Sequence, residues 1–323
     1  RGSLRAVGRA MVGPAMQLQV VINPKAGGGR AGGKVREISA ALRRLGHPHE
    51  VVHTRGPGDA ARCIREAYAG GFDCVAVVGG DGTFNEACQA YLGPEGEAAP
   101  GPELALIPAG TGGDFRKTFD LPDDIEQAVE RLSRTEARPL DLGILQVTSD
   151  AGDRQTKAFI NITSFGIGGL TDRIVNASPK WMGGKAAFFI GTLRAMVAYR
   201  DAPTRILVDG QPWLEAPIFN VAIANGRYFG GGMMIAPDAD PADGQFDIVA
   251  LSDIPRARVI ALSSKIYKGT HLGEPGVRTT RGARVEAVPV RAGDEILIDM
   301  DGETPGRLPL SAHVAPGAIR LRA

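Results

Sequence analysis

The stretch "VVGGDGTFNE", residues 77–86, places three glycines and an aspartate between an apolar run and a helix-like segment. Glycine permits positive φ angles and lets the backbone approach a ligand closely. The residues after the glycines predict a helix with Thr83 as its N-cap. Because the first N–H groups of a helix favour an anion, the turn predicts a phosphate site. A plain Asp-Gly turn is the alternative, but it needs only one glycine.

Asp81 is a carboxylate within this predicted phosphate site, where it would repel a polyanion. A Mg²⁺ ion between the carboxylate and the phosphates removes the conflict, and phosphoryl-transfer sites use acidic residues in this way. The sequence therefore predicts that Asp81 holds or orients a metal ion on the phosphates of a nucleotide.

Two further glycine-rich turns follow apolar runs, "NPKAGGGRAGG" (23–33) and "PAGTGGDF" (108–115). The first formally contains G-x-G-x-x-G, but His53 and Thr54 stand where a dinucleotide site needs an acid. The P-loop motif G-x-x-x-x-G-K-[ST] does not occur in the sequence. If the three turns end neighbouring parallel strands, they line one crevice at the edge of the sheet.

Apolar runs and amphipathic segments alternate along residues 17–139, which predicts an α/β nucleotide-binding domain with a parallel sheet covered on both faces. The predicted strands are 18–23, 49–54, 74–80 and 104–110, and the predicted helices are 33–46 and 58–71. Residues 140–323 predict a mainly β domain, because short strand-like runs alternate with Gly, Pro and Asp turns. Two helical inserts are expected in it, near 179–199 and 255–268. Residues 1–16 are basic and rich in small residues, as in a tag or leader.

Composition excludes several classes of function. The chain is 43% hydrophobic and 23% charged with a net charge of +1, which is typical of a soluble globular protein and gives no general attraction to nucleic acid. No uncharged apolar run reaches the roughly 18 residues of a transmembrane helix. The three cysteines lack C-x-x-C spacing, which indicates reduced thiols and a cytoplasmic location.

The motifs, taken in order, resemble the catalytic domain of the diacylglycerol kinase family, which includes bacterial lipid kinases and sphingosine and ceramide kinases. The elements are "NPKAGGG", "GGDGTFNE", "PAGTGGDF", "ANGRYFGGGMMIAPDADPADGQFDI" and "IDMDGE". The resemblance covers nearly the whole chain, although "GGDGT" alone is shared with NAD kinases and phosphofructokinases. It implies an NAD-kinase-like α/β domain and a β-sandwich domain, with the active site in the cleft between them. In this predicted division, the last strand can return to pair with the first domain.

The resemblance implies ATP and Mg²⁺ as cofactors, with ATP contacts in the three turns. The implied contacts are Asn23, Pro24, Lys25, Ala26, Gly27, Thr54, Gly79, Gly80, Asp81, Gly82, Thr83, Phe84, Asn85, Glu86 and Thr111. Asp301 and Glu303 match an acidic pair at the acceptor hydroxyl, with Glu303 as the proton acceptor that an alcohol nucleophile needs. In one departure, Gly113 stands where the family has asparagine.

From the residues alone, each of two acidic segments has a second interpretation. Asp240, Asp243 and Gln245 match a Mg²⁺ site of the family, but clustered acids also form solvated turns. The segment "DMDGETPG" that contains Asp301 and Glu303 is also compatible with a hairpin tip bearing solvated acids. The family match favours the functional interpretation of the second segment.

The resemblance implies an ATP-dependent kinase that phosphorylates a lipid hydroxyl, with diacylglycerol giving phosphatidic acid, and that works from the cytosol at the membrane surface. An NAD kinase and a catalytically inactive lipid-binding regulatory protein are the alternatives. Residues 178–199 carry enough apolar bulk either to contact a bilayer or to pack on the sheet. The acceptor lipid and the oligomeric state stay open, and a homodimer is compatible with the sequence.

Overall fold

The computed structural model describes residues 16–110, 113–176, 191–192 and 194–323. Four strands pair in parallel in the order β2, β1, β3, β4. They are β1 (Leu18–Ile22), β2 (His49–His53), β3 (Cys74–Gly79) and β4 (Glu103–Pro108). Every residue of β1 and β3 is buried, as expected for parallel strands with helices on both faces.

Among the described residues, six α-helices accompany these strands and form a core on each face of the sheet. They are α1 (Arg30–Gly33), α2 (Val35–Arg44), α3 (Asp59–Ala69), α4 (Asp81–Cys88), α5 (Asp114–Thr118) and α6 (Ile125–Arg134). On one face α3 and α4 contribute Ile64 and Phe84 to the core. On the other face α2 and α6 contribute Leu42 and Val129. All three cysteines are free and buried.

The rest of the chain is mainly antiparallel. Its strands are β5 (Arg138–Thr148), β6 (Arg154–Phe159), β7 (Ile162–Gly166), β8 (Ala202–Val208), β9 (Gln211–Ala224), β10 (Tyr228–Phe229), β11 (Met233–Met234), β12 (Phe246–Ser252), β13 (Val277–Gly282), β14 (Arg284–Pro289), β15 (Leu297–Met300) and β16 (Glu303–Leu321). Its helices include α7 (Ile167–Asn176) and α8 (Arg256–Tyr267). The pairings run from β9 through β7, β15, β16, β14 and β8 back to β9, around a core that includes Phe159, Phe165 and Ile298.

The long strand β16 joins the two parts of the chain. It pairs with β15, β14 and β5, and at its end Leu321 pairs in parallel with Leu104 of β4. Its extent could not be predicted, because proline and glycine interrupt the strand pattern. The register shifts between Arg307 and Leu310, next to Pro309, and again between Ala315 and Ile319.

The start of α4 differs from the prediction. The helix begins at Asp81 with Gly80 as its N-cap, so Thr83 lies inside the first turn and the predicted N-cap is wrong. Gly80 has an extended conformation and caps the helix without a side chain. The Phe84 N–H donates to the Gly80 carbonyl, which closes this first turn.

The predicted apolar helix over 178–199 lies mostly outside the described residues. Within that range, the described residues 191–192 and 194–198 are helical. Across the described part of the chain, none of the helices combines the length and apolarity that crossing a bilayer requires.

Candidate active site

Asn23 connects the turn after β1 to the turn after β3. Its Nδ2 donates to Thr83 Oγ1 at 2.9 Å, and its backbone N–H donates to the Val78 carbonyl at 3.2 Å. Its Oδ1 accepts the N–H of Lys25 at 3.0 Å. The first predicted ATP-binding turn is therefore fixed to the first turn of α4.

The turns after β3 and β4 touch through their backbones. A Cβ atom on Gly110 would lie 2.5 Å from the Gly80 Cα, so only glycine fits at this approach. The turn after β1 joins them from the other side, because a side chain on Gly27 (φ +61°) would overlap with the Ala109 carbonyl. The three glycine-rich turns thus form one continuous surface at the carboxyl ends of β1, β3 and β4.

Substitution of Gly110 by alanine should disrupt this surface. The added Cβ meets backbone atoms that cannot rotate away, and such overpacking costs about 1–3 kcal/mol. We expect a lower melting temperature and roughly tenfold weaker ATP binding, measured by thermal unfolding and by titration calorimetry. Gly33→Ala is the matched control, because nothing lies within 4 Å of its added Cβ. Equal behaviour of the two variants would exclude the proposed contact between turns.

Asp81 fixes the turn after β4. Its Oδ2 accepts the backbone N–H groups of Gly113 and Asp114, both at 2.9 Å. Burial raises the pKa of the Asp81 carboxyl, and these two hydrogen bonds oppose the shift. Gly113, which stands where the family has asparagine, has φ +138°, a conformation that favours glycine. Thr111, a predicted ATP contact in this turn, lies outside the described residues.

A small cavity of about 60 Å³ lies where the second and third turns meet. Asp81, Gly110 and Gly113 line it together with Arg116, which forms an ion pair with Asp123 at 2.9 Å. Arg116 was not among the site residues predicted from the sequence. Its position in the first turn of α5, directly after the glycine-rich turn that follows β4, is the signal that could have identified it.

Asp301 lies in the turn between β15 and β16, against α4. Its Oδ2 accepts Asn85 Nδ2 at 2.7 Å and the N–H of Ile160 at 3.1 Å, and its Oδ1 accepts the N–H of Ile162 at 2.8 Å. Burial raises the pKa of Asp301 to about 6; the three hydrogen bonds oppose the shift and the charge of Asp81 adds to it. The predicted acidic pair therefore lies beside the helix that begins at the predicted phosphate site.

Glu303 is the exposed member of the acidic pair. Partial desolvation and the negative charge of Glu86 raise the pKa of Glu303, and Lys157 opposes the shift. Glu86 and Lys157 both line a cleft of about 540 Å³ formed by α3, α4 and β6. That volume suits a small-molecule ligand, and the two shared residues place the cleft next to Glu303.

Two predicted ATP contacts have side chains that hold the site together. Phe84 is fully buried, with its ring centroid 4.7 Å from that of Phe115. Asn85 is also buried, and its side-chain amide donates a hydrogen bond to Asp301. Neither side chain is therefore exposed to a ligand in the crevice. Thr54 is buried as well and donates its N–H to the Ile22 carbonyl at 2.9 Å.

The segment predicted as a Mg²⁺ site does not fit a metal ion. Asp240 accepts the N–H of Ala242 at 3.1 Å, and Asp243 accepts the N–H of Gln245 at 3.0 Å. Arg281 forms an ion pair with Asp243, so a guanidinium already supplies the positive charge. Over the described residues, no group of three or more His, Cys, Asp or Glu side chains is arranged to hold a metal.

A pair of carboxyl groups, from buried Asp299 and half-buried Asp172, lies beneath the acidic turn and was not foreseen. Asp299 Oδ1 accepts the Gly302 N–H at 2.9 Å, and Asp299 Oδ2 accepts Ser164 Oγ at 3.2 Å. Asp299 also shares a hydrogen bond with Asp172 of α7. Burial, followed by the neighbouring Asp172 charge, raises the pKa of Asp299 well above its usual value, which favours a proton shared by the pair. The turn that carries Asp301 and Glu303 therefore rests on this pair of acids.

Substitution of Asp172 by asparagine should alter the pH dependence of stability. The folded wild-type protein binds more protons than the unfolded chain above the ordinary aspartate pKa near 4, so its stability falls as pH rises. The amide introduced by Asp172→Asn would donate to Asp299 without titrating. We expect the melting temperature of the variant, relative to wild type, to increase by several degrees between pH 5 and pH 7, measured by calorimetry. A difference that is constant with pH would contradict the shared proton.

Comparison with known proteins identifies the family. The description "Diacylglycerol kinase catalytic domain" matches residues 17–145, and "YegS C-terminal NAD kinase beta sandwich-like domain" matches residues 161–323. The chain belongs to the diacylglycerol kinase family. The predicted resemblance is confirmed. The matched description of the second half of the chain is sandwich-like, and the strands of this half connect through β9 and β16, each of which pairs with several other strands.

Curated relatives extend over nearly the whole chain. A Pseudomonas aeruginosa protein named "Probable lipid kinase YegS-like" is 32% identical over 288 residues, which cover 89% of each chain. A Mycobacterium tuberculosis protein named "Diacylglycerol kinase" is 30% identical, with 94% of each chain covered. The crystal structure of a diacylglycerol kinase from Bacillus anthracis superposes with a TM-score of 0.70 at 21% identity, covering 96% of this chain and 97% of that one. This last similarity concerns the fold alone.

Proposed function

We propose that the chain is an ATP-dependent lipid kinase that transfers the γ-phosphoryl group to the hydroxyl of diacylglycerol, giving phosphatidic acid. The observation that carries this proposal is the hydrogen bond from Asn85 to Asp301, at 2.7 Å. It holds the acidic turn against the helix whose N-terminus meets the three glycine-rich turns. Membership of the family supports lipid phosphorylation, and the name of the Mycobacterium tuberculosis relative favours diacylglycerol.

The nucleotide phosphates bind at the start of α4. The first N–H groups of a helix have no partner within it, so those of Asp81, Gly82 and Thr83 are suited to phosphate oxygens. In this proposal the backbone of the Asn23–Gly27 segment contacts the same phosphates, because the three turns form one continuous surface. The nucleoside extends into the cleft of about 540 Å³, where Glu86 is one of the implied ATP contacts.

Asp81 is the residue that would hold Mg²⁺ arriving with ATP. The charges of Asp81 and Asp301 repel each other, and a divalent cation at Asp81 relieves that repulsion. When bound, the metal supplies charge neutralisation for the phosphate oxygens. The acidic turn near Asp243 has no part in this proposal, because Arg281 already neutralises it.

Glu303 accepts the proton of the lipid hydroxyl. As the hydroxyl oxygen bonds to the γ-phosphorus, the bond to the leaving ADP breaks and the proton moves to Glu303. The raised pKa of Glu303 brings it closer to neutral pH and makes it a better base. Asp301 accepts three hydrogen bonds and therefore positions the turn. The enzyme acts from the cytosol at the membrane surface, where its acceptor resides.

An acceptor panel tests the proposal. γ-Phosphate-labelled ATP and Mg²⁺ are supplied with diacylglycerol, phosphatidylglycerol, sphingosine, ceramide or NAD, and the products are separated by chromatography. We expect labelled phosphatidic acid and unlabelled NAD. Label on another lipid would change the substrate, and label on NAD would replace the proposal with an NAD kinase. No transfer to any acceptor would favour an inactive lipid-binding protein.

A further inference from the structure

Exposed apolar side chains are concentrated in one region. Five large hydrophobic residues are exposed in the described part of the chain, and three of them come from two neighbouring helical segments. These are Val197 (89% exposed), and Ile260 (62%) and Tyr267 (49%) of α8. On α8 the exposed positions 257, 260, 261, 264 and 267 recur at helical spacing and form one stripe.

The stripe points away from the core because the opposite side of α8 is already packed. Leu262 and Ile266 are buried in a hydrophobic cluster that also contains Ala195. Arg256 fixes α8 to the preceding segment, since it donates to the Tyr199 carbonyl at 2.9 Å and pairs with Asp201 at 2.7 Å. The two segments therefore present their exposed residues in a fixed arrangement.

The same region carries an excess of positive charge. Segments 194–201 and 253–274 contain six Lys or Arg residues and three Asp or Glu residues, whereas the net charge of the whole chain is only +1. Glu274 is shared by Arg258 and Lys265. Lys268 is exposed, and within the described residues it forms no ion pair. Apolar side chains flanked by an excess of positive charge are complementary to an anionic lipid surface.

The region also lies near the candidate active site. β11 packs against α8, and Met234 comes close to Gly269 just after α8. β11 pairs with β10, and the Gly231 N–H in the turn between them donates to Asp114 Oδ2 at 2.7 Å. Asp114 starts α5 in the third glycine-rich turn. One hairpin therefore separates α8 from the nucleotide-binding surface.

We propose that the exposed stripe of α8, with residues 194–201 beside it, docks on an anionic bilayer. Ile260 and Tyr267 enter the interface between headgroups and acyl chains, and Lys268 contacts anionic headgroups. This inference rests on the proposed function in one respect, because a lipid acceptor explains why the protein would bind a membrane. Docking itself needs neither ATP nor an acceptor.

Vesicle co-sedimentation of the full chain tests the proposal. The vesicles contain phosphatidylcholine alone or phosphatidylcholine and phosphatidylglycerol in equal parts, without diacylglycerol or ATP. We expect binding to the mixed vesicles, roughly tenfold weaker partition for Ile260→Ser, and roughly fivefold weaker partition for Lys268→Gln. Tyr267→Ser should also weaken binding. Tyr68→Ser on α3 is the matched control, since Tyr68 is 48% exposed, and it should bind as wild type.

Several outcomes would overturn the proposal. The first is equal partition of wild type and the α8 variants onto the mixed vesicles, and the second is an equal loss of vesicle binding in Tyr68→Ser. The third is a change of oligomeric state in Ile260→Ser with unchanged vesicle binding, which would assign the stripe to a second copy of the chain. Its failure is separable from failure of the kinase proposal. Vesicle binding without lipid phosphorylation would refute only the latter, and phosphorylation with unchanged binding of the variants would refute only the former.

Discussion

Glu303→Gln is expected to lower kcat for lipid phosphorylation by about a thousandfold, within the range for loss of a general base. The amide keeps the shape of the carboxyl group but cannot accept the proton of the hydroxyl. Because Glu303 is proposed to contact the acceptor hydroxyl and is not among the implied ATP contacts, ATP affinity should stay near that of wild type. Steady-state kinetics with labelled ATP, together with calorimetric ATP titration, separate these two effects.

Glu295→Gln provides the control for that variant. Glu295 is an exposed acid just before β15 and pairs with Arg307 at 2.9 Å, outside the proposed machinery. Its kcat should match wild type. Near-normal kcat in Glu303→Gln would remove Glu303 from the proton-transfer role, and lost ATP binding would assign it to the nucleotide.

Asp81→Asn is expected to reduce turnover by at least about a hundredfold, because it removes charge stabilisation from a phosphoryl-transfer site. The substitution has two physical consequences. It weakens the charge-assisted hydrogen bonds from Gly113 and Asp114, which loosens the third turn, and it removes the anion proposed to hold Mg²⁺. ATP affinity should fall together with turnover, unlike in the Glu303 variant.

Asp59→Asn is the matched control for Asp81→Asn. Asp59 begins α3 after β2, just as Asp81 begins α4 after β3, and it too accepts a backbone N–H, from Arg55 at 2.7 Å. A general contribution of first-turn aspartates to helix stability would affect both variants equally. Turnover lost only in Asp81→Asn supports the specific role, whereas turnover retained in both would contradict it.

The two acids of the acidic pair differ in environment, which separates their roles. Asp301 accepts three hydrogen bonds, and its carboxyl is enclosed by α4 and by the backbone between β6 and β7. Glu303 is exposed and interacts with Glu86 and Lys157 at the mouth of the cleft. A buried carboxyl group that already accepts three hydrogen bonds is suited to positioning, and an exposed group with a raised pKa is suited to accepting a proton.

Sequence patterns predicted the parts of the fold that depend on local signals. The strands at 18–23, 49–54, 74–80 and 104–110 correspond to β1–β4, because continuous apolar runs between amphipathic helices are typical of covered parallel strands. β13 and the extent of β16 were missed. β13 is largely polar and exposed, and the prolines and glycines of β16 resemble turn residues.

The decisive contacts of the site could not be predicted from local signals. Asn85 and Asp301 are 216 positions apart in the chain, and nothing in either motif indicates that they touch. Asp172 belongs to a helix where an acid is ordinarily solvated, yet it meets Asp299 in the interior. Pairing of distant polar groups is set by the tertiary packing of α4 and α7 against the sheet, which hydrophobic periodicity does not encode.

The central claim is that the glycine-rich turns and the acidic turn form a single phosphoryl-transfer site. The most direct measurement is a crystal structure of the Glu303→Gln variant with Mg²⁺ and a non-hydrolysable ATP analogue. The predicted result places the terminal phosphate at the N-terminus of α4, facing residues 301–303, with the nucleoside in the cleft beside Glu86. A nucleotide bound elsewhere, or a terminal phosphate directed away from the acidic turn, would contradict the claim.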